Sequence, residues 1–293
     1  MRKFFITLTV FAIAILSANA EEKTKTYDFG DITSIDANFL YTVHVIEGRS
    51  DKVKVVYDDM IETFLDLEVI YSDGTLRLSR KVRDRKSENK FGRWMSGADR
   101  KRVDVYLEMD NIKSIRISGA AEIIFEGAFK ADDLDIDISG ASSLKDLHVN
   151  GKSMEVDCSG ASKVSVSGNF SKEVGIEVSG ASRMTYTGDS ETLEADMSGA
   201  SSFKCEGKHS TADIKCSGAS NAEFAGKVGK ADVGEFGFAQ LTLNPEVKCP
   251  LFEGIEPVQQ VWMSHQDGVL SLGEGFEVVG STKDCPYAAL QNL

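Results

Sequence analysis

The chain has 293 residues, 42% of them hydrophobic, and a formal net charge of −13. That length is ample for one or two domains with real cores. A chain this acidic is not built to bind nucleic acid, and after the first twenty residues no apolar run is long enough to span a membrane.

The N-terminus predicts export. Arg2 and Lys3 form a short basic region, Phe4 to Leu16 is apolar apart from two threonines, and Ser17-Ala18-Asn19-Ala20 offers a small-residue cleavage site. This is a secretory signal peptide over residues 1–20. The mature chain begins at Glu21, and losing Arg2 and Lys3 takes the charge from −13 to −15. No cysteine follows the cut, which argues against a lipid anchor there. The expected location is the periplasm, the outer-membrane surface or the extracellular space.

Residues 21–111 read as an N-terminal β region. Short strands are expected around Tyr27-Phe29, Phe39-Val45, Val53-Tyr57, Leu67-Tyr71 and Leu76-Leu78, with Asp73-Gly74 as a hairpin turn. His44 alternates with Val43 and Val45 and so points outward. Val103-Val105-Leu107 is the next strand. Between them, residues 80–102 carry ten basic residues against three acidic ones, a net +7 in an acidic chain. A loop this long is either a solvated insertion or a contact surface. As a contact surface it would offer Arg85, Lys86, Phe91, Arg93 and Trp94 to an anionic partner, such as a glycan, lipopolysaccharide or the acidic face of another copy.

Residues 112–233 repeat. Ser-Gly-Ala recurs at Ser118, Ser139, Ser159, Ser179, Ser198 and Ser217, in steps of 21, 20, 20, 19 and 19 residues. Aligned on that string, the flanks fall into columns. Ile117, Ile138, Cys158, Val178, Met197 and Cys216 precede the serine. Ile115, Ile136, Val156, Ile176, Ala195 and Ile214 stand two residues further back. Ile123, Leu144, Val164, Met184, Phe203 and Ala222 follow. Period-two alternation on both sides of a glycine turn is a strand–turn–strand unit. One such unit cannot bury its own apolar face, but stacking units about 4.8 Å apart buries it continuously. The predicted fold is therefore all-β: a β-solenoid, resembling a single-stranded β-helix, of about 20-residue coils.

The columns assign the cysteines. Cys158, Cys205 and Cys216 occupy inward positions and read as small core residues. Cys158 and Cys216 lie three coils, roughly 14 Å, apart and cannot bridge. Cys249 and Cys285 leave a disulfide open. The serine columns allow two roles: a hydrogen-bonded ladder sealing the turn, or an exposed row for a glycan. Asp137, Asp157, Glu177 and Asp196 form an acidic column, and neighbours about 5 Å apart repel by roughly 0.8 kcal/mol even in water. The row is expected to be a solvated face. Its metal-binding alternative would need six to eight oxygens for calcium, more than one column supplies.

The export signal, the segment from Met60-Ile61 through Asp73-Gly74-Thr75-Leu76-Arg77-Leu78, and the Ser-Gly-Ala-Ser coils together resemble the autotransporter adhesin head domain, called the GIN domain, of Bacteroidetes envelope proteins. The likeness covers roughly residues 27–233. It implies an all-β solenoid displayed in the envelope. The membrane β-barrel of a true autotransporter is not present in this sequence.

From about Gly234 the pattern changes. Glu235-Phe236-Gly237-Phe238-Ala239-Gln240-Leu241, Pro250-Leu251-Phe252-Glu253-Gly254-Ile255, Val261-Trp262-Met263-Ser264-His265-Gln266-Asp267, Glu274-Gly275-Phe276-Glu277-Val278 and Cys285-Pro286-Tyr287-Ala288-Ala289 appear in order. Residues 234–293 thus resemble part of the glutaminase half of GMP synthase, a class I glutamine amidotransferase. That family needs a Gly-x-Cys-x-Gly elbow and a His-Pro-Glu string, and neither occurs here. The likeness implies a piece of an α/β domain, poorly packed beside a solenoid, joined to it by gene fusion or by an error of sequence assembly.

The expected function is a non-catalytic exported envelope protein, an adhesin or binding module for a glycan, a surface or further copies of itself, with no cofactor. Solenoids present long faces suited to repeated ligands. The alternatives are a carbohydrate-active β-helix enzyme, which would need clustered acids in a groove, and a glutamine amidotransferase, which the absent triad opposes.

Overall fold

In the computed structural model, residues 22–59, 61–82, 103–244, 256–265, 276–282 and 289–292 are described. The alternating segments become strands, in chain order. The N-terminal part holds β1 (Glu22–Asp28), β2 (Ser34–Phe39), β3 (Tyr41–Glu47), β4 (Lys52–Asp58), the short helix α1 (Ile61–Phe64), β5 (Leu65–Ser72), β6 (Thr75–Val82) and β7 (Val103–Met109). The coils follow as β8 (Ser114–Gly119), β9 (Glu122–Glu126), β10 (Phe129–Lys130), β11 (Asp133–Ile138), β12 (Ser143–Asn150), β13 (Ser153–Cys158), β14 (Lys163–Ser167), β15 (Glu173–Val178), β16 (Arg183–Thr187), β17 (Ser190–Met197), β18 (Ser202–Ser217) and β19 (Asn221–Leu243).

Each coil gives one strand before its Ser-Gly-Ala corner and one after it. The leading strands pair in parallel, β8 with β11, β11 with β13, β13 with β15, and β15 with β17. The trailing strands do the same through β9, β12, β14 and β16. β18 is long enough to join both sheets: its first half pairs with β16 and its second half with β17. The two sheets enclose one apolar core, in which Ile115, Ile136, Val156 and Ile176 stack as a single column with at most 2% exposure.

The corner is held by its backbone. Ala141, Ala161, Ala181 and Ala200 each donate their N–H to the glycine carbonyl of the coil before, at 2.7–2.8 Å. The coil-to-coil pairing therefore continues through the bend at these alanine amides. The opposite corner carries a side-chain ladder. The amides of Asn169, Asp189 and Lys208 donate to the side-chain oxygens of Asn150, Asn169 and Asp189 at 2.8–2.9 Å.

The stacking starts before the first Ser-Gly-Ala string. β2 lies on β8 and β3 on β9, so residues 34–47 form a coil with Phe39 in register with Gly119. That corner had no glycine signature in the sequence, and Phe39 takes it at φ 86°. β6 and β7 then stack on β2 and β3 as a further coil. Between them, β6 ends at Val82 and β7 begins at Val103. The end is closed by β4 and β1, by β5 folding back on β6, and by α1, where Tyr57, Ile61 and Leu65 are buried.

Over 234–293 the described residues are strands, not the mixed elements that the glutaminase likeness implies. β19 runs straight through Gly234 to Leu243. β20 (Val258–His265) pairs antiparallel with its end, and β21 (Phe276–Ser281) and β22 (Ala289–Asn292) add a further antiparallel pair. An open strand edge templates such pairing whatever the origin of the sequence.

Candidate functional site

The acidic column is real and in register. Asp137, Asp157, Glu177 and Asp196 stand opposite one another on successive leading strands. Arg116 precedes the row and Lys215 ends it. All four carboxylates are exposed on the outer face, because their neighbours at odd and even positions must alternate between core and solvent.

A second column, absent from the sequence reasoning, runs beside it. Asp135, Glu155, Glu194 and Asp213 occupy one register line, interrupted by Gly175. The signal was available: these residues sit two positions before the first column, on the same face of each strand. Together the columns make a two-lane carboxylate surface. The carboxyl of Glu155 is pushed above its ordinary value by partial burial and by Asp157, Glu173, Glu177 and Asp135 around it. Burial is the larger cause, and the neighbouring carboxylates add to it.

Along the corner this face dips into an open groove of about 470 Å³ crossing four coils. Its walls are Asp157, Glu177 and Asp196 with Lys215 on one side, and Ser159, Ser179, Ser198 and Ser217 on the other. The two serine columns differ in placement. The serines that begin each string border the groove. Of those that follow the alanine, Ser142, Ser162, Ser182 and Ser201 are buried and Ser220 is half-buried, and three of them bond to the corner backbone: Ser162 Oγ donates to the carbonyl of Ser159 at 2.6 Å, Ser201 Oγ to that of Val178 at 3.1 Å, and Ser220 Oγ to that of Ser217 at 2.8 Å.

The metal-binding alternative for Asp137, Asp157, Glu177 and Asp196 finds no support in the geometry. Side chains on successive strands of a flat face stand side by side, and among the described residues no group of three or more His, Cys, Asp or Glu converges to hold an ion. The candidate partner loop, Arg85, Lys86, Phe91, Arg93 and Trp94, lies outside the described residues. So do the signal peptide, Cys249 and Cys285.

Two nucleophiles are sequestered: Cys158 and Cys205 are buried free thiols, while Cys216 is half-buried. Burial pushes the Cys205 thiol up to about 12 and the Cys158 thiol up as well. His209, 4% exposed, lies between Ser190 Oγ at 2.7 Å and Cys205 Sγ at 3.5 Å, with Tyr186 and Phe224 against its ring. Desolvation lowers its pKa. A Cys–His pair that no substrate can reach, with its thiol held protonated, is a packing unit. His44 points outward as expected, stacked on Tyr106 at 4.6 Å with Asp104 3.2 Å away.

Comparison with known proteins gives three results. A family model described as "Putative auto-transporter adhesin, head GIN domain" matches residues 31–180. A crystal structure described as a "putative adhesin" from Parabacteroides distasonis is similar in fold, with TM-score 0.51, 14% identity, and coverage of 73% of this chain and 98% of that one. GMP synthase of Clostridium acetobutylicum is 47% identical over 60 residues, and that of Thermosipho africanus 48% identical over 58 residues. Each alignment covers 20% of this chain and 11% of the enzyme, so the chain spans about a tenth of these curated relatives. Among the described residues no helix is long and apolar enough to cross a membrane, which leaves spans made of strands unaddressed.

Proposed function

The chain belongs to the family of auto-transporter adhesin head GIN domains, and from that premise we propose that it is a non-catalytic, exported envelope module that holds an extended glycan along its acidic face. One observation carries this reading: the groove repeats the same pair of groups, a carboxylate and a serine, at each of three successive coils from Asp157 to Ser198. A polymer with a regular repeat meets the same acceptors again and again along such a face. Glycan hydroxyls and amines are donors, and carboxylates accept them in charge-assisted bonds. Polyanions are repelled by the same rows.

Catalysis fits less well. Acid–base cleavage needs two carboxyls whose environments set their pKa values apart, whereas the groove's own carboxylates, Asp157, Glu177 and Asp196, repeat one register position from coil to coil. The glutamine hydrolysis of GMP synthase belongs to proteins of which this chain spans about a tenth. Arg85, Lys86, Phe91, Arg93 and Trp94 are proposed as a second contact, for an anionic partner on the same surface.

The test is a glycan array followed by calorimetry on the mature chain. Changing Asp157, Glu177 and Asp196 together to Asn, Gln and Asn should lower affinity for amine-bearing or neutral polymers tenfold or more. Undiminished binding by that variant, or release of cleaved sugar by the parent, defeats the proposal. Cell fractionation with a tagged chain checks export separately.

A further inference from the structure

The two ends of the solenoid are unequal. At the N-terminal end α1 and Tyr57, Ile61 and Leu65 close the core. At the other end three core columns lose their cover at the last coil. Phe203, Cys205 and His209 are 1%, 0% and 4% exposed, yet their register partners Ala222, Phe224 and Val228 are only partly buried. The backbone shows the same loss. β11, β13 and β15 each pair with a strand above and a strand below. Among the described residues, the first half of β19 pairs only with β18, since β20 takes up Glu235 to Thr242 and leaves 221–230 untouched.

We infer that this end docks a second copy of the chain, edge to edge, through 221–230 in antiparallel register about Ala225. The sequence Glu223-Phe224-Ala225-Gly226-Lys227 is complementary to itself in that register. Ala222, Phe224 and Val228 face the core side, while Glu223, Ala225 and Lys227 are exposed. Pairing about Ala225 sets Glu223 opposite the second copy's Lys227 on the outer side. On the core side it sets Ala222 opposite Val228. Phe224 falls opposite Gly226, where no side chain competes for the space. Glu223 already receives Lys204 at 3.2 Å while remaining exposed, so it has room for a second cation. A two-fold contact of this kind closes on itself and satisfies the edge amides and carbonyls of both copies. The edge carries no proline that would turn partners away.

Sedimentation of the full mature chain should show a concentration-dependent dimer. Replacing Ala222 and Val228 together with Lys should yield monomer, with an unchanged far-ultraviolet spectrum as the check on folding. Ala225→Cys places two thiols across the two-fold axis, within disulfide reach of an antiparallel pair, and mild oxidation should cross-link it to dimer. Glu206→Cys, in the same outward column one coil earlier, should not cross-link. This pair decides the matter even where the double Lys variant does not fold. A chain that stays monomeric at its highest soluble concentration overturns the inference, as does equal cross-linking of the two cysteine variants. A monomer whose 221–230 amides resist hydrogen exchange would assign the cover to the chain's own tail and overturn it equally.

Discussion

A Cβ placed on Gly160 would lie 2.5 Å from the carbonyl oxygen of Gly140, one coil below. Gly160 also holds φ +76°. Two independent penalties therefore fall on one position: the left-handed backbone, which costs an L-residue about 1–2 kcal/mol, and a clash with backbone that is itself bonded to Ala161.

Gly160→Ala is expected to destabilise the chain by more than about 2 kcal/mol. Gly175→Ala should be nearly silent, because Gly175 has no positive φ and a Cβ there would meet only the flexible carboxylate of Glu155 at 3.4 Å. Denaturant midpoints of the two variants check the contrast, and equal loss in both would refute the account of the corner.

The buried serines predict a second contrast. Ser162→Ala deletes a 2.6 Å bond to the carbonyl of Ser159 and should cost about 1 kcal/mol. Ser142, its counterpart one coil earlier, is buried with no hydrogen-bond partner for its hydroxyl. Ser142→Ala removes an uncompensated polar atom and should leave the midpoint unchanged or raise it.

His209 makes stability depend on pH. Its folded pKa lies below its ordinary value because burial disfavours the cation, and nearby Asp189 offsets this only in part. Ser190, Cys205, Tyr186 and Phe224 surround it, none of them charged at neutral pH. Its stabilising effect is complete above about 6.5 and is lost as pH falls through the depressed folded value. His209→Leu should flatten the change in midpoint between about pH 7.5 and pH 5. An unaltered slope would show that other groups control it.

At the closed end, Glu62 accepts hydrogen bonds from Lys23 and Lys25, both at 2.7 Å, and from Tyr57 at 2.5 Å. Those bonds hold its carboxyl at about 2. A depressed carboxyl contributes stability above its ordinary value, and that contribution fades as pH falls toward about 2. Glu62→Gln should therefore lower the Tm at pH 7 by a few degrees, with the gap to the parent narrowing in acid. A gap independent of pH would contradict the ionic origin of this contact.

Much of the fold is legible in the residues because the solenoid is a local code. Coil length, corner glycines and inward columns all repeat, so Ile115, Ile136 and Val156 identify each other by spacing alone. The same logic placed Cys158 and Cys205 in the core. It failed where the code lapses. The coil at residues 34–47 turns on Phe39, a residue type that gives no turn signal, and it is stacked out of chain order by pairing that only the folded chain reveals. The lane of Asp135, Glu155, Glu194 and Asp213 was missed because the interruption at Gly175 breaks the column. Residues 234–243 followed the open edge of β18 and not the fold of their relatives, since backbone pairing at an edge depends little on side-chain identity.

The corner ladder makes length a quantised trait. Each coil bonds only to the coils directly above and below it, so a duplicated stretch of about 20 residues brings its own glycine, its own buried serine and its own acidic pair. It would lengthen the body by one strand spacing, about 4.8 Å, and add one more rung to the groove while leaving both ends as they are. The length of the body, and of the groove along it, is thus set in whole coils and not residue by residue.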